Sequence, residues 1–319
     1  MANINVCVVG VPGYGKTIGK KGTESDIIFY NLKRGTDTVT MLEPGRYPER
    51  LAPLYYTASM ADIALLIVPE ISPEFGECVV MLDALGIKAG YIVLQNYLDP
   101  SQVEPLTKGT TLEGFTFIDD DPVQIREQLL ADAIGWDHGT PAPDNGVVAL
   151  DHAFNVKGIG TVILGGMISG TIRQHETVRI LPGEKTAQIR SIQKHDDDTV
   201  EAWEGDRVGL ALKNITADDL ERGQVLTTSE SLVIGTTIQG PVKLGRFWRM
   251  PLKEGMVLHI GHWMQFVNGR ISEVSERADG AQTIVVECEK DLVYMPGDTA
   301  VLHYLDAGKL RVAGTITIE

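Results

Sequence analysis

Gly10-Val11-Pro12-Gly13-Tyr14-Gly15-Lys16-Thr17 fits the pattern GxxxxGK[ST] and comes directly after an apolar run from Val6 to Val9. In such a loop the glycines let successive backbone N–H groups face a phosphate. The lysine meets the outer phosphates as a point charge, and the threonine hydroxyl ligates Mg²⁺. Gly10, Gly13, Gly15, Lys16 and Thr17 therefore predict a nucleoside triphosphate with Mg²⁺ held on Thr17; a ligand-free Gly-rich turn is the structural alternative. A helix normally comes next, and its N-terminal amides complete the anion site. Here Ile18-Gly19-Lys20-Lys21-Gly22 holds two glycines in five residues, each costing about 1 kcal/mol against Ala in a helix. The helix is expected to be severely shortened. Lys20 and Lys21 read either as extra cations near the phosphates or as solvated loop lysines.

The elements that would position this loop alternate over residues 1 to about 138. Nearly continuous apolar runs at 5–9, 38–42, 63–68 and 90–94 suit strands covered on both faces. Stretches 46–60, 73–85, 100–106 and 123–133 carry helical apolar spacing. Residues 24–42 read as a β-hairpin turning at Lys33-Arg34-Gly35-Thr36-Asp37. The alternation predicts a reduced, doubly wound α/β domain with a mostly parallel sheet. His138 to Gly146, with two prolines and two glycines, reads as a linker, placed at 139–146. Beyond it, short β-branched runs with glycine punctuation and no helix longer than 216–220 predict two all-β barrels, at 147–228 and 229–319.

Composition bounds the partners. The 319 residues include 28 basic and 43 acidic side chains, a formal charge of −15, with 43% hydrophobic and 22% charged residues. That describes an ordinary globular chain which repels nucleic acid at long range, so an RNA partner must meet a local basic patch. Lys33 and Arg34, Arg173, Arg179, Arg190 and Lys194, and Lys243, Arg246, Arg249 and Arg270 are the candidates. No apolar run approaches a membrane span and the N-terminus lacks a signal-peptide layout, which predicts a cytoplasmic protein with no membrane partner. Cys7, Cys78 and Cys288 are widely spaced and predict buried free thiols. His259 and His262 have no third metal ligand in view.

An α/β phosphate-loop segment succeeded by two barrels resembles the elongation factor Tu class of translational GTPases. Leu150-Asp151-His152-Ala153-Phe154-Asn155-Val156-Lys157-Gly158-Ile159-Gly160-Thr161-Val162, Glu204 to Leu210 and Asp219 to Leu226 resemble its SelB-like branch. The likeness runs from residue 3 to about 228 and more loosely beyond, and it is to methanogen SelB-like factors of the kind proposed to serve pyrrolysine insertion. The resemblance implies GTP or GDP with Mg²⁺ as ligands, and aminoacyl-tRNA and the ribosome, not DNA, as partners. It also implies a tRNA end bound between the α/β and first barrel domains. Arg222, Gly223 and His152 fall in stretches that line related sites in the family.

Carried over by position, Asn96-Tyr97-Leu98-Asp99 stands where the family has NKxD. Asp99 would accept the guanine ring N–H, Asn96 would tie the loop and Tyr97 would replace the lysine that covers the base. The alternative is a strand-ending turn with Asp99-Pro100 capping a helix. Leu42-Glu43-Pro44-Gly45-Arg46 takes the place of DxPGH, so Leu42 replaces the aspartate that holds a metal-bound water and Arg46 the histidine that orients attacking water. A leucine has no lone pair and an arginine cannot accept a proton. Glu24 replaces the magnesium-ligating threonine of the first switch unless Thr23 shifts in, and Glu43 substitutes for the lost aspartate only after a one-residue slip. The catalytic residues are unassigned, and the expectation is slow or absent hydrolysis. The alternative function is a nucleotide-independent RNA- or protein-binding scaffold.

Overall fold

The computed structural model describes residues 2–140, 142–276 and 282–319. Pro141, part of the expected linker, lies outside the described residues, as does Met1. The chain divides into two compact units: Met1–Trp136 with Lys243–Pro251 and Val301–Thr315, and Asp137–Val242 with Leu252–Ala300 and Ile316–Glu319.

In the first unit the order is β1 (Asn3–Val9), α1 (Gly15–Ile18), β2 (Lys20–Glu24), β3 (Ile27–Arg34), β4 (Asp37–Pro44), α2 (Ala52–Ser59), β5 (Ile63–Val68), α3 (Pro73–Ala84), β6 (Gly90–Leu94), α4 (Pro100–Thr107), β7 (Thr116–Ile118) and α5 (Pro122–Gly135). One sheet runs β2-β3-β4-β1-β5-β6-β7. β1 pairs in parallel with β4 and β5, and β6 continues in parallel with β5 and β7, while β2 and β3 are antiparallel additions. β1 and β5 are buried along their whole length, as the apolar runs at Val6 to Val9 and Ile63 to Val68 require, with Asn3 and Asn5 buried beside them. Ile4, Val6 and Val8 meet Ile125 and Leu129 of α5 in the core.

The hairpin expected at 24–42 is β3–β4, and the helix after the phosphate loop is cut to four residues. The helix expected over 46–60 is shorter. It spans Ala52–Ser59: Arg46 takes a left-handed φ of 62° and Pro48 has no N–H to donate, whereas Pro53 stands in the first turn, where a missing N–H costs nothing. The short helix expected at 216–220 is a single 3₁₀ turn at Ala217–Asp219.

The remaining strands are β8 (Val147–Val156), β9 (Gly160–Ser169), β10 (Thr171–Arg173), β11 (Thr177–Leu181), β12 (Lys185–Lys194), β13 (Asp197–Thr199), β14 (Glu201–Trp203), β15 (Arg207–Lys213), β16 (Val225–Thr227), β17 (Val233–Leu244), β18 (Val257–His262), β19 (Gln265–Glu276), β20 (Gln282–Tyr294), β21 (Thr299–His303) and β22 (Val312–Thr317). The first group forms the sheet β11-β16-β8-β9-β15-β12-β13, which the β11–β12 pairing joins round, with β10–β14 beside it. The last six close as β17-β20-β19-β18-β21-β22. An α/β domain and then two all-β barrels is the architecture expected from the sequence.

Candidate functional site

The phosphate loop leaves the buried end of β1 and turns into α1. Gly10 has φ 104° and Gly13 φ 79°, and a Cβ on Gly10 would lie 1.9 Å from the Ile67 carbonyl oxygen, so only glycine fits there. β4 runs parallel to β1 with Leu42 beside Cys7, which delivers the next residue, Glu43, to the loop. The strand's twofold alternation decides which side chain arrives. Met41 and Glu43 share the face that α1 and the loop cover, whereas Leu42 points to the opposite face and is buried.

Glu43 occupies the loop's own anion cradle. Its Oε1 accepts the Gly13 N–H and its Oε2 accepts the Gly15 N–H at 3.0 Å. The residue is 2% exposed. Burial pushes the Glu43 carboxyl above the usual range, opposed by the two loop N–H groups and by the charges of Lys16 and Lys21. Tyr30 of β3 closes the pocket from the side: a Cβ on Gly15 would lie 2.5 Å from its ring.

The other expected contacts are likewise engaged elsewhere or face solvent. The Thr17 hydroxyl donates to the Tyr14 carbonyl at 2.7 Å. Lys16 is exposed. Glu24 is exposed on β2 and pairs with Lys21 at 2.5 Å, and Arg46 is exposed beyond the end of β4. The Tyr14 hydroxyl donates to Asp120 at 2.5 Å, and Gln95 Nε2 donates to the same carboxylate at 2.8 Å. Acidic Asp119-Asp120-Asp121 thus borders the loop on the β7 side.

At the NxxD segment, Asn96 and Tyr97 both take left-handed φ, 52° and 63°. Asn96 Nδ2 donates to the Pro69 carbonyl at 3.1 Å, and Tyr97 is fully exposed. Asp99 caps α4. Its Oδ1 accepts the Ser101 N–H at 2.9 Å, and Gln102 Oε1 accepts the Asp99 N–H in return. That is the alternative the Asp-Pro pair offers.

These residues do not fit a magnesium nucleoside triphosphate. The loop amides already hold a carboxylate, the position of the water-holding aspartate is an apolar Leu42, and further carboxylates flank the loop. Glu43 as the occupant of the cradle was the residue that sequence reasoning missed. Its alternation with Leu42 along a strand parallel to β1 is the signal that would have found it.

A second cluster lies on the first barrel. The register of β8 against β9 shifts between Leu150 and His152, so Asp151 sits in a bulge, a feature that re-aims side chains. Asp151 is buried, accepts from Arg207 Nη1, and lies 3.3 Å from His152 Nδ1. Arg222 Nε donates to the Asp151 carbonyl at 3.1 Å, and Gly223 comes next at φ 92°. Burial pushes the Asp151 carboxyl up, but the Arg207 charge and the hydrogen bonds from His152 and Arg207 hold it below the usual range. Arg207 thus holds the Asp151 carboxylate and Arg222 its carbonyl, with His152 and Arg222 half-buried at the edge of the cluster, an array of donors that suits a polar end group.

Cys7, Cys78 and Cys288 are free and buried. Among the described residues no group of three or more His, Cys, Asp or Glu could hold a metal ion, and no helix is long and apolar enough to cross a membrane.

Residues 160–227 match elongation factor Tu domain 2. An uncharacterized protein of Methanocaldococcus jannaschii is 38% identical over 318 residues, covering 98% of this chain and 99% of that one. The selenocysteine-specific elongation factor of the same organism is 29% identical over 183 residues, covering 52% of this chain and only 39% of that factor. Translation elongation factor SelB from Methanococcus maripaludis, in complex with the GTP analogue GppNHp, superposes with a TM-score of 0.85 over 100% of this chain and 79% of that one at 21% identity. Its apo form gives 0.82 over 99% of this chain.

Proposed function

Because the chain belongs to the SelB-like branch of the elongation factor Tu class of translational GTPases, we propose that it binds aminoacyl-tRNA in the cytoplasm without a guanine nucleotide as its switch. The observation that carries this reading is the Glu43 carboxylate seated on the Gly13 and Gly15 amides. A phosphate needs those same donors and the same positive end of the short helix, and two anions cannot share them. The cluster of Arg207, His152 and Arg222 around Asp151 is the surface we assign to the aminoacyl end. The rest of the RNA is met through phosphate and 2′-hydroxyl contacts.

The reading is tested by filter binding of charged and deacylated tRNA to the full chain without nucleotide. Preference for the charged form, reduced about tenfold by Arg222→Ala, is the expected result. Equal binding of both forms contradicts it. A second reading, GTP or GDP binding with Mg²⁺ on Thr17 after Glu43 swings out, is favoured by the exposure of Lys16 and the complete glycine pattern. It requires nucleotide affinity that Lys16→Ala removes.

A further inference from the structure

We infer that the rim of the phosphate loop and the adjoining β2 edge, with the exposed Lys16, Lys20 and Lys21, is a binding surface for the phosphodiester backbone of RNA. The inference rests on the proposed function only for the identity of the RNA.

Local charge runs against the overall balance. A chain of net −15 repels polyanions overall, yet residues 16–34 carry five basic side chains against two acidic ones. Lys20 and Lys21 lie on β2 and Lys16 on α1, while Arg34 on β3 is paired with Glu127. β2 is the edge strand of its sheet, and all of its residues are exposed. Lys21 stands opposite Tyr30, the residue whose ring lies against Gly15, so it projects on the loop side, where its charge and that of Lys16 both act on Glu43. Lys20, opposite Asn31, projects from the other face. Basic groups therefore wrap one edge of the sheet.

Glu43 explains why these lysines would meet a polymer and not a mononucleotide. A nucleotide's outer phosphates depend on the loop amides, which Glu43 holds. A backbone phosphate needs only exposed cations. The Lys21–Glu24 pair is exposed on both sides and is easily exchanged for a phosphate. Asp119 to Asp121 on the β7 side confine the strand to the β2 edge. Edge lysines also serve to block strand-to-strand association, a role that requires no RNA and is separated by the test.

The test measures filter binding of charged and deacylated tRNA to the wild type and to Lys16→Ala/Lys20→Ala/Lys21→Ala across a salt series, with a thermal melt to verify folding. The expected result is a salt slope shallower by about one for each lysine in contact, the same for charged and deacylated RNA. Lys→Arg replacements should keep the wild-type slope, and neither GTP nor inorganic phosphate should compete. An unchanged slope in the folded triple variant overturns the inference, leaving the lysines as edge protection. So does displacement of RNA by GTP from the wild type but not from Lys16→Ala. If charged and deacylated tRNA bind alike while the lysine-dependent slope persists, the proposed function fails and the rim stands; a wild type that binds neither RNA overturns both.

Discussion

Glu77 of α3 and Arg311, 234 residues apart in sequence, form a two-pronged ion pair within the first unit. Arg311 Nε donates to Glu77 Oε1 at 2.9 Å and Nη2 to Oε2 at 2.5 Å, while the Arg311 backbone N–H adds a third bond at 3.0 Å. The Glu77 side chain is 2% exposed. The Glu77 hydrogen bonds, with that from Arg311 to the Pro48 carbonyl, fasten the Arg311 segment to the α/β domain.

Arg311→Ala should therefore leave a buried carboxylate without its partner and destabilise the chain by about 3 kcal/mol in chemical denaturation. Replacing both residues by methionine should recover most of that loss, because the desolvation of both charges disappears together. A loss below about 0.5 kcal/mol for the single variant would place the pair with surface ion pairs of little consequence.

Glu43 makes stability depend on pH in a defined direction. Its folded-state carboxyl is raised by burial. A raised group contributes stability that is fully present below its unfolded value, about 4.3, and lost as pH rises through the folded value. The unfolding free energy of the wild type relative to Glu43→Gln should thus fall as pH rises from about 4. Denaturation midpoints for the two proteins between acid and neutral pH check this, and a difference that grows with pH contradicts it.

Asp99→Ala should cost about 1 kcal/mol by removing the cap and capping box of α4. Since Asp99 spends its side chain on that cap, binding of charged tRNA should not change. A tRNA affinity that falls with Asp99→Ala at intact folding would show the segment to be part of the binding surface.

Much of the architecture was legible because it is written locally. The glycine spacing of the loop, the two glycines that stop α1, the turn at Lys33 to Asp37 and the Asp99-Pro100 cap each depend on a few adjacent residues. α2 is shorter than its sequence suggests because helical apolar spacing continues through Arg46 to Arg50, where the left-handed Arg46 and Pro48 break a regular helix. The occupant of the loop was hidden for a different reason. Glu43 reaches Gly13 and Gly15 only through the register of β4 against β1, a long-range pairing that a linear motif does not contain. The Asp151 cluster was half legible: His152 and Arg222 stood out by resemblance, whereas Arg207 joins them through pairing of β15 with β9 and a bulge in β8.

If the Glu43 carboxylate has replaced the nucleotide in its cradle, removing it should reopen the site. Isothermal titration of GTP and GDP with Mg²⁺ into the wild type, Glu43→Ala and Lys16→Ala tests this most directly. The expected result is no binding to the wild type and a gain of phosphate-dependent affinity in Glu43→Ala. Micromolar, guanine-specific binding by the wild type that Lys16→Ala abolishes would contradict it.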